Sequence, residues 1–491
     1  MRKQILAFLL ALLLLFSLIG CGGKKPSSQS GESGGGTGED AYPDDLPSSL
    51  NFEGAKIRIV YPESNLSDIF VEEPGGEVID EAVYRARLTV EDRLGVEYQV
   101  ISLPADRRDF TDAVLNTYLG QQDAYDIVGD MIAYACITAG QGAYADLRSI
   151  EYLDFTKPYW NSAMVEGFSV NGHLYFCSGD AAVSYLRHIN MMLCHTGLAA
   201  EYKIDSSELQ QLVIDGKWTA EKMKEYATQV QSVVDPSSVN RETDTVGLMV
   251  PERDHATPMA AGMGVFMYGS DGDGGYECTF GTSHAVDVVQ WMVHLFNDNV
   301  SCTGTFAHSD DNSLRLDRGM FLQGRSLFIT ARFEDTASIY SDIAGDYIVL
   351  PFPKWEEDDE YATFSRSLHL ASCIMRSSPN ASMAGAVLEC MSSVGYAVIS
   401  PAYYETAMKI KYSDATPESR QIFDIIRGSV AFDLGYYCQF AFAGGATLFI
   451  YTPILENDLG WTAQVNARKK SWQQGLDTYL EKLANLEEGY S

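Results

Sequence analysis

Between Lys56 and Gly129 the hydrophobic pattern changes period four times, and this constrains the fold more than any other feature of the chain. Lys56 to Tyr61 (KIRIVY) alternates and is β-branched, which predicts a strand. Val78 to Leu94 places Ile79, Val83, Ala86, Val90 and Leu94 on one helical face and stops at Gly95. Val96 to Ile101 predicts a second strand, Asp109 to Leu119 a second helix and Tyr125 to Gly129 a third strand. A βαβαβ run of this kind buries its apolar faces as a parallel sheet with crossover helices. Ligands of open α/β sheets lie beyond the carboxyl ends of strands, so Tyr61 to Ser64 and Gly129 to Met131 become site candidates on topology.

With 491 residues, 46% of them hydrophobic and 21% charged, the chain has material for two or three folded domains. Val170 to Phe176 (VNGHLYF) predicts a tight turn at Asn171-Gly172, and His188 to Cys194 a strand. Thr219 is placed to cap a helix carrying Met223, Tyr226 and Val230. His284 to Asn297 reads as a helix, and Phe321 to Ile329 as a helix end, a Gly324 turn and a buried strand. Strands follow at Asp346 to Pro351 and Leu368 to Met375, then a helix at Ala381 to Met391 and further helices to Leu483. The formal charge of −32 repels phosphate backbones and anionic head groups, which argues against nucleic-acid binding.

At the N-terminus, Arg2 and Lys3 precede an apolar run from Ile5 to Ile19 that is too short to span a bilayer, as in a secretory signal. The Leu18-Ile19-Gly20-Cys21 sequence resembles the lipobox of bacterial lipoproteins, which implies removal of residues 1–20 and lipidation of Cys21. An ordinary secreted protein with an incidental cysteine is the plainer alternative. From Gly22 to Glu39, 11 of 18 residues are Gly or Ser, so residues 21–50 read as a flexible tether reaching roughly 30 Å. No second stretch reads as long and apolar enough to span a membrane.

Eight further cysteines are well separated, without a CxxC, and either buried thiols or disulfides suit them. No HExxH or zinc-like spacing occurs, and neither a metal nor a cofactor is expected. Asp271-Gly272-Asp273-Gly274-Gly275 lacks the later ligands of a calcium loop and reads as a surface turn. There is no GxSxG and no P-loop.

Several segments, in this order, resemble the extracellular solute-binding lipoproteins of bacterial ABC importers, the maltose-binding-like group. They are the lipobox and tether, NGHLYF at Asn171, DGKWT from Asp215, LPFPKW from Leu350, Ser378-Pro379-Asn380, the helix from Gly385 and the run Pro401 to Ala407. Cys194-His195-Thr196 departs from the Asn-Lys pair of many relatives. The resemblance implies a type II periplasmic-binding-protein-like α/β fold of two lobes joined by a multi-crossover hinge, with the ligand cleft between them. Lobe 1 would hold residues 51–177 and 350–395, and lobe 2 residues 178–349 and 396–491, with the return crossing near Tyr347 to Leu350 and helices packed back across lobe 1. It further implies a monomer, held on the extracellular face of the membrane by its lipid, that captures a carbohydrate, most simply an oligosaccharide, and delivers it to the permease subunits without bond chemistry. A peptide, amino-acid derivative or polyamine is the alternative ligand, and a secreted glycoside hydrolase the rival of another class.

Sugar sites need aromatic platforms and polar side chains for buried hydroxyls. Asp130 follows the third strand, where it either meets ligand or caps a helix. Trp160 either stacks on ligand or packs between lobes. Asp180 and Tyr185 lie past the first crossing. Arg332 and Phe333 follow a buried strand, with Glu334 as an alternative partner for Arg332. Of Tyr403 and Tyr404, one is expected at the ligand and the other in the core. Tyr61 and Glu63 complete the set on topology.

Overall fold

The structure is a computed structural model that describes residues 42–103, 107–235, 239–272, 275–306, 311–340, 343, 346–409, 416–443 and 448–486. The signal segment, Cys21 and the tether up to residue 41 lie outside them, as do Asp273 and Gly274 of the acidic turn. Tyr42–Ser491 forms one compact unit by itself.

Two separate sheets organise that unit. In the first, β1 (Ala55–Pro62) pairs in parallel with β2 (Val96–Leu103) along its whole length, from Ala55↔Val96 to Pro62↔Leu103. β1 also pairs in parallel with β3 (Ile127–Met131), and β11 (Leu370–Ile374) is added antiparallel to β3, giving the order β11-β3-β1-β2. Helix α1 (Val78–Leu94) buries Ala82, Val83, Ala86, Val90 and Leu94. It ends at Gly95 with φ 57°, where a Cβ would collide with the Asn51 side chain. α2 (Arg107–Leu119) leads into β3, and α3 (Ile132–Ala139) starts directly beyond it.

The second sheet runs β10-β4-β9-β5-β8, from Tyr347–Leu350, Asn190–His195, Ser326–Arg332, Val246–Val250 and Cys302–Gly304. β5 is parallel to β8 and β9, whereas β4 is antiparallel to β9 and β10. A small hairpin, β6 (Tyr268–Ser270) and β7 (Tyr276–Cys278), encloses the acidic turn, in which Gly275 donates its N–H to Asp271 at 2.8 Å. Thr219 caps its helix through Lys222 N–H, and Asn171-Gly172 forms the expected tight turn with positive φ at both residues.

The chain leaves the first sheet after Cys177, which bridges Ser372, and enters the second at Asn190 opposite Arg332. The return differs from the sequence expectation. Residues 351–365 stay with the second sheet: the Trp218 indole donates to Pro351, Thr219 bridges Lys354 and Thr363 bridges Val430. The crossing therefore falls at 366–369, and the buried Trp218 takes its carbonyl partner, Pro351, from the segment before it.

The third crossing is helical. α4 (Ala381–Val394) continues through a wider turn at Gly395–Ile399 into Ser400–Lys409. A Cβ at Gly395 would lie 1.9 Å from the Asp180 carbonyl oxygen, so the helix touches the first crossing where only glycine fits. By length and composition Ala381–Tyr404 resembles a membrane span, contrary to the sequence reading, yet it is mostly buried in the protein. α5 (Pro417–Gly428) packs on the second sheet's side, and α6 (Trp461–Ala484) runs back across the molecule. Within α6, the Trp472 carbonyl accepts from Tyr268, and the Tyr479 hydroxyl donates to the Cys136 carbonyl at 2.9 Å.

Candidate functional site

The carboxyl ends of β1 and β9 are filled by the protein itself. Asp68, in the turn after β1, holds Arg187 at 2.8 Å, while Glu334 beyond β9 holds His188 at 3.5 Å. Glu63 stands exposed at the start of that turn, and Tyr61 points back onto Gly129 in the core. Arg332 is buried and paired with Glu252 at 2.7 Å, and the more distant Glu334 lies at 3.9 Å. Phe333 stacks face to face on Phe423 of α5 at 5.0 Å, with Tyr404 edge-on to the same ring and Tyr403 buried. The C-terminal helices thus cover the end of β9, where the resemblance suggested Arg332 and Phe333 as ligand contacts.

Asp130 faces inward from β3 and accepts from Thr111 and Tyr144 at 3.4 Å each. Burial pushes its pKa up to about 8, so it is protonated at neutral pH. It is not a helix cap, since Met131 occupies that position.

Trp160, Asp180 and Tyr185 come together around a hollow of about 310 Å³ beside the crossings. Their polar atoms are spoken for. Asp180 pairs with Arg427 at 2.5 Å, Tyr185 accepts from Asn161 at 2.6 Å, and the Trp160 indole donates to Glu389 at 3.2 Å. Burial raises Asp180 to about 6 despite its arginine. A wider groove of about 680 Å³ is lined wholly by residues between 148 and 166.

A third opening, about 340 Å³, draws walls from both sheets. Arg107 at the start of α2 and Tyr134 in α3 come from the first, and Arg253 and Asp254 follow β5 of the second. Its floor is the return crossing, Arg366 to Leu368, and its rim is the segment Tyr436 to Phe440. None of the ten residues named from the sequence lines it.

An aromatic ledge marks this cleft. Phe440 is 48% exposed and lies 5.0 Å from the Tyr134 ring, while Tyr436 is held flat on Phe364 at 4.3 Å. The Cys136–Cys438 disulfide joins α3 to the rim between Tyr436 and Phe440, and the other six described cysteines are free and buried. Asp254 lies 3.7 Å from Arg253 and 3.9 Å from Arg366. Behind it His255 is buried against Thr330, and burial together with Arg332 lowers its pKa to about 3, so it is neutral.

The sequence did carry signals for these residues. Pro251-Glu252-Arg253-Asp254 follows a buried apolar run at its carboxyl end, and Tyr436-Tyr437-Cys438-Gln439-Phe440 is dense in aromatics. Neither was distinguishable from a core segment without the sheet order.

No protein-family model and no curated protein matches the sequence. Solved structures do. UspC of M. tuberculosis superposes with a TM-score of 0.56 at 14% identity, covering 85% of this chain and all of that one. The fold is that of the maltose-binding-like, type II periplasmic binding proteins. The GacH receptor of Streptomyces glaucescens GLA.O, solved unliganded and with acarbose, matches at 0.50, with 13% identity and 89% of this chain covered. An ABC transporter solute-binding protein from Thermotoga lettingae TMO, bound with α-D-tagatose, matches at 0.50, with 13% identity and 88% covered; both of these chains are covered completely. In a periplasmic-binding-protein fold, a ligand that touches both lobes stabilises the closed arrangement through its greater affinity for it. The Arg107–Phe440 cleft has walls on both sides, as does the hollow at Trp160, where Asp180, Tyr185 and the Trp160 indole are already paired within the protein.

Proposed function

We propose that this protein is the solute-binding component of an ABC importer and captures a carbohydrate in the cleft between Tyr134 and Arg253 for delivery to a membrane permease. The observation that carries the reading is the exposed Phe440 ring beside Tyr134, flanked by guanidinium groups: an apolar platform for a sugar face with donors for its oxygens. The ligands of two structural neighbours, acarbose and α-D-tagatose, support the same class. Lipidation at Cys21 and a place outside the cytoplasmic membrane accord with the role.

Among the described residues lining the cleft, Asp254 is the sole carboxylate. A glycosidase needs two at a defined separation, so capture without hydrolysis is favoured. Three arginines in one small cleft also count against a polyamine.

The test is a thermal-shift screen of the chain from Gly22 onward against neutral and acidic oligosaccharides, peptides and polyamines, with product analysis of each hit. A ligand at 100 times its Kd stabilises the fold by about 2.7 kcal/mol. A shift from an intact glycan supports the reading. Cleaved glycan, or shifts from peptides alone, would overturn it.

A further inference from the structure

The charge of the cleft runs against the charge of the chain. Acidic residues outnumber basic ones by 67 to 35, yet among the described residues the charged side chains lining this cleft are Arg107, Arg253, Arg366 and Asp254. In the layer behind, Arg332 and Arg318 are matched by Glu252 and Asp335. Asp254 is itself shared: at 3.7 Å and 3.9 Å it sits outside the ~2.7–2.9 Å of a charge-assisted hydrogen bond to either guanidinium. Both guanidiniums approach one carboxylate, so both are within reach of one ligand group. Arg366 is about one-third exposed, and burial together with the Arg332 charge lowers its pKa from the ordinary arginine value, so its cation has more to gain from an anion than a surface arginine has.

A guanidinium fork matches a planar or tetrahedral oxyanion with two parallel hydrogen bonds, a geometry that neutral hydroxyls do not require. On the reading of this cleft as a sugar site, we propose that its ligand is an anionic glycan, whose carboxylate or sulfate is received by Arg366 and Arg253 while a ring face rests on Phe440. This departs from the neutral oligosaccharide that the aromatic content of the sequence suggests.

The experiment is isothermal titration of the wild-type chain from Gly22 onward, and of Arg366→Gln, with neutral malto-, xylo- and manno-oligosaccharides, with galacturonate and mannuronate oligosaccharides, and with chondroitin sulfate oligosaccharides. The expected result is binding of an acidic probe that weakens about tenfold in Arg366→Gln and weakens further as salt rises from 50 to 500 mM. The unliganded midpoint of Arg366→Gln is expected to stay close to that of wild type, since its ion pair with Asp254 is long at 3.9 Å and the Arg332 charge opposes it. Binding by uronates names a carboxylate, and binding only by the sulfated probe names a sulfate. Tighter binding of a neutral oligosaccharide, unchanged by Arg366→Gln, overturns the anionic ligand and leaves sugar capture standing. Failure of every glycan, neutral and acidic, removes sugar capture and this inference with it.

Discussion

Trp160 donates its indole N–H to Glu389 at 3.2 Å, and the neighbouring Tyr159 hydroxyl donates to the other oxygen of the same carboxyl group. Glu389 lies in the apolar helix α4, buried, with Asp154 N–H as a third donor at 3.3 Å. An aromatic that the sequence leaves open between sugar stacking and packing is therefore held by an internal acid, and its ring packs on Phe155.

Glu389 makes stability depend on pH. Burial raises its pKa in the folded protein to about 7, whereas the unfolded chain ionises at the ordinary 4.5. Between those values the folded form holds one proton more than the unfolded form, so stability falls as pH rises. The contribution is complete below about pH 4.5 and gone above about 7. In Glu389→Gln this slope disappears, and the stability of wild type relative to the variant should drop by about 3 kcal/mol across the window. Urea unfolding of both proteins at several pH values measures it, and parallel slopes would show that Glu389 does not titrate.

The Cys136–Cys438 disulfide closes a sequence separation of 302 residues and anchors the aromatic rim on α3. Replacing both cysteines with serine should cost about 2–4 kcal/mol of stability. Ligand affinity should fall as well, because Tyr436 and Phe440 flank the anchor. Wild type under reductant should show the same lowered midpoint, while equal midpoints in oxidised and reduced protein would mean the bond carries nothing.

Arg332 is a structural cation in this geometry. Arg332→Met leaves Glu252 largely buried with Arg318 as its remaining partner, and is expected to destabilise by about 3 kcal/mol. Adding Glu252→Gln should recover part of that loss, and denaturant midpoints of the two single variants and the double variant give the coupling. Loss of ligand affinity at undiminished stability would instead restore the contact role suggested by the sequence.

Phe440 separates binding from folding. Its ring is exposed, so Phe440→Ala should change stability by no more than about 0.5 kcal/mol. Removing the platform should weaken glycan binding about tenfold or more, as seen by titration. Unaltered affinity would place the sugar elsewhere.

Much of the architecture was readable because it is local. Gly95 ends α1 by its left-handed φ, Thr219 caps its helix, Gly324 turns into β9, and the alternation in KIRIVY marks a buried strand, each within a few residues of its cause. The path of residues 351–365 was not readable, since it depends on a Trp218 more than 130 positions away.

The chain by itself determined the βαβαβ start, three of the second sheet's five strands (β4, β9 and β10) and the order of segments resembling a two-lobed binding protein, because side-chain period and turn chemistry are properties of neighbours in sequence. Only the tertiary structure decided which strand ends stay open. α5 and the helix from Ser400 to Lys409 cover the end of β9 and the Asp68–Arg187 pair fills the end of β1, whereas α3, the loop after β5 and the disulfide-held rim leave a cleft. That choice arises from packing between residues hundreds of positions apart, and it turned a strongly acidic sequence into a protein whose candidate binding cleft is lined by arginine.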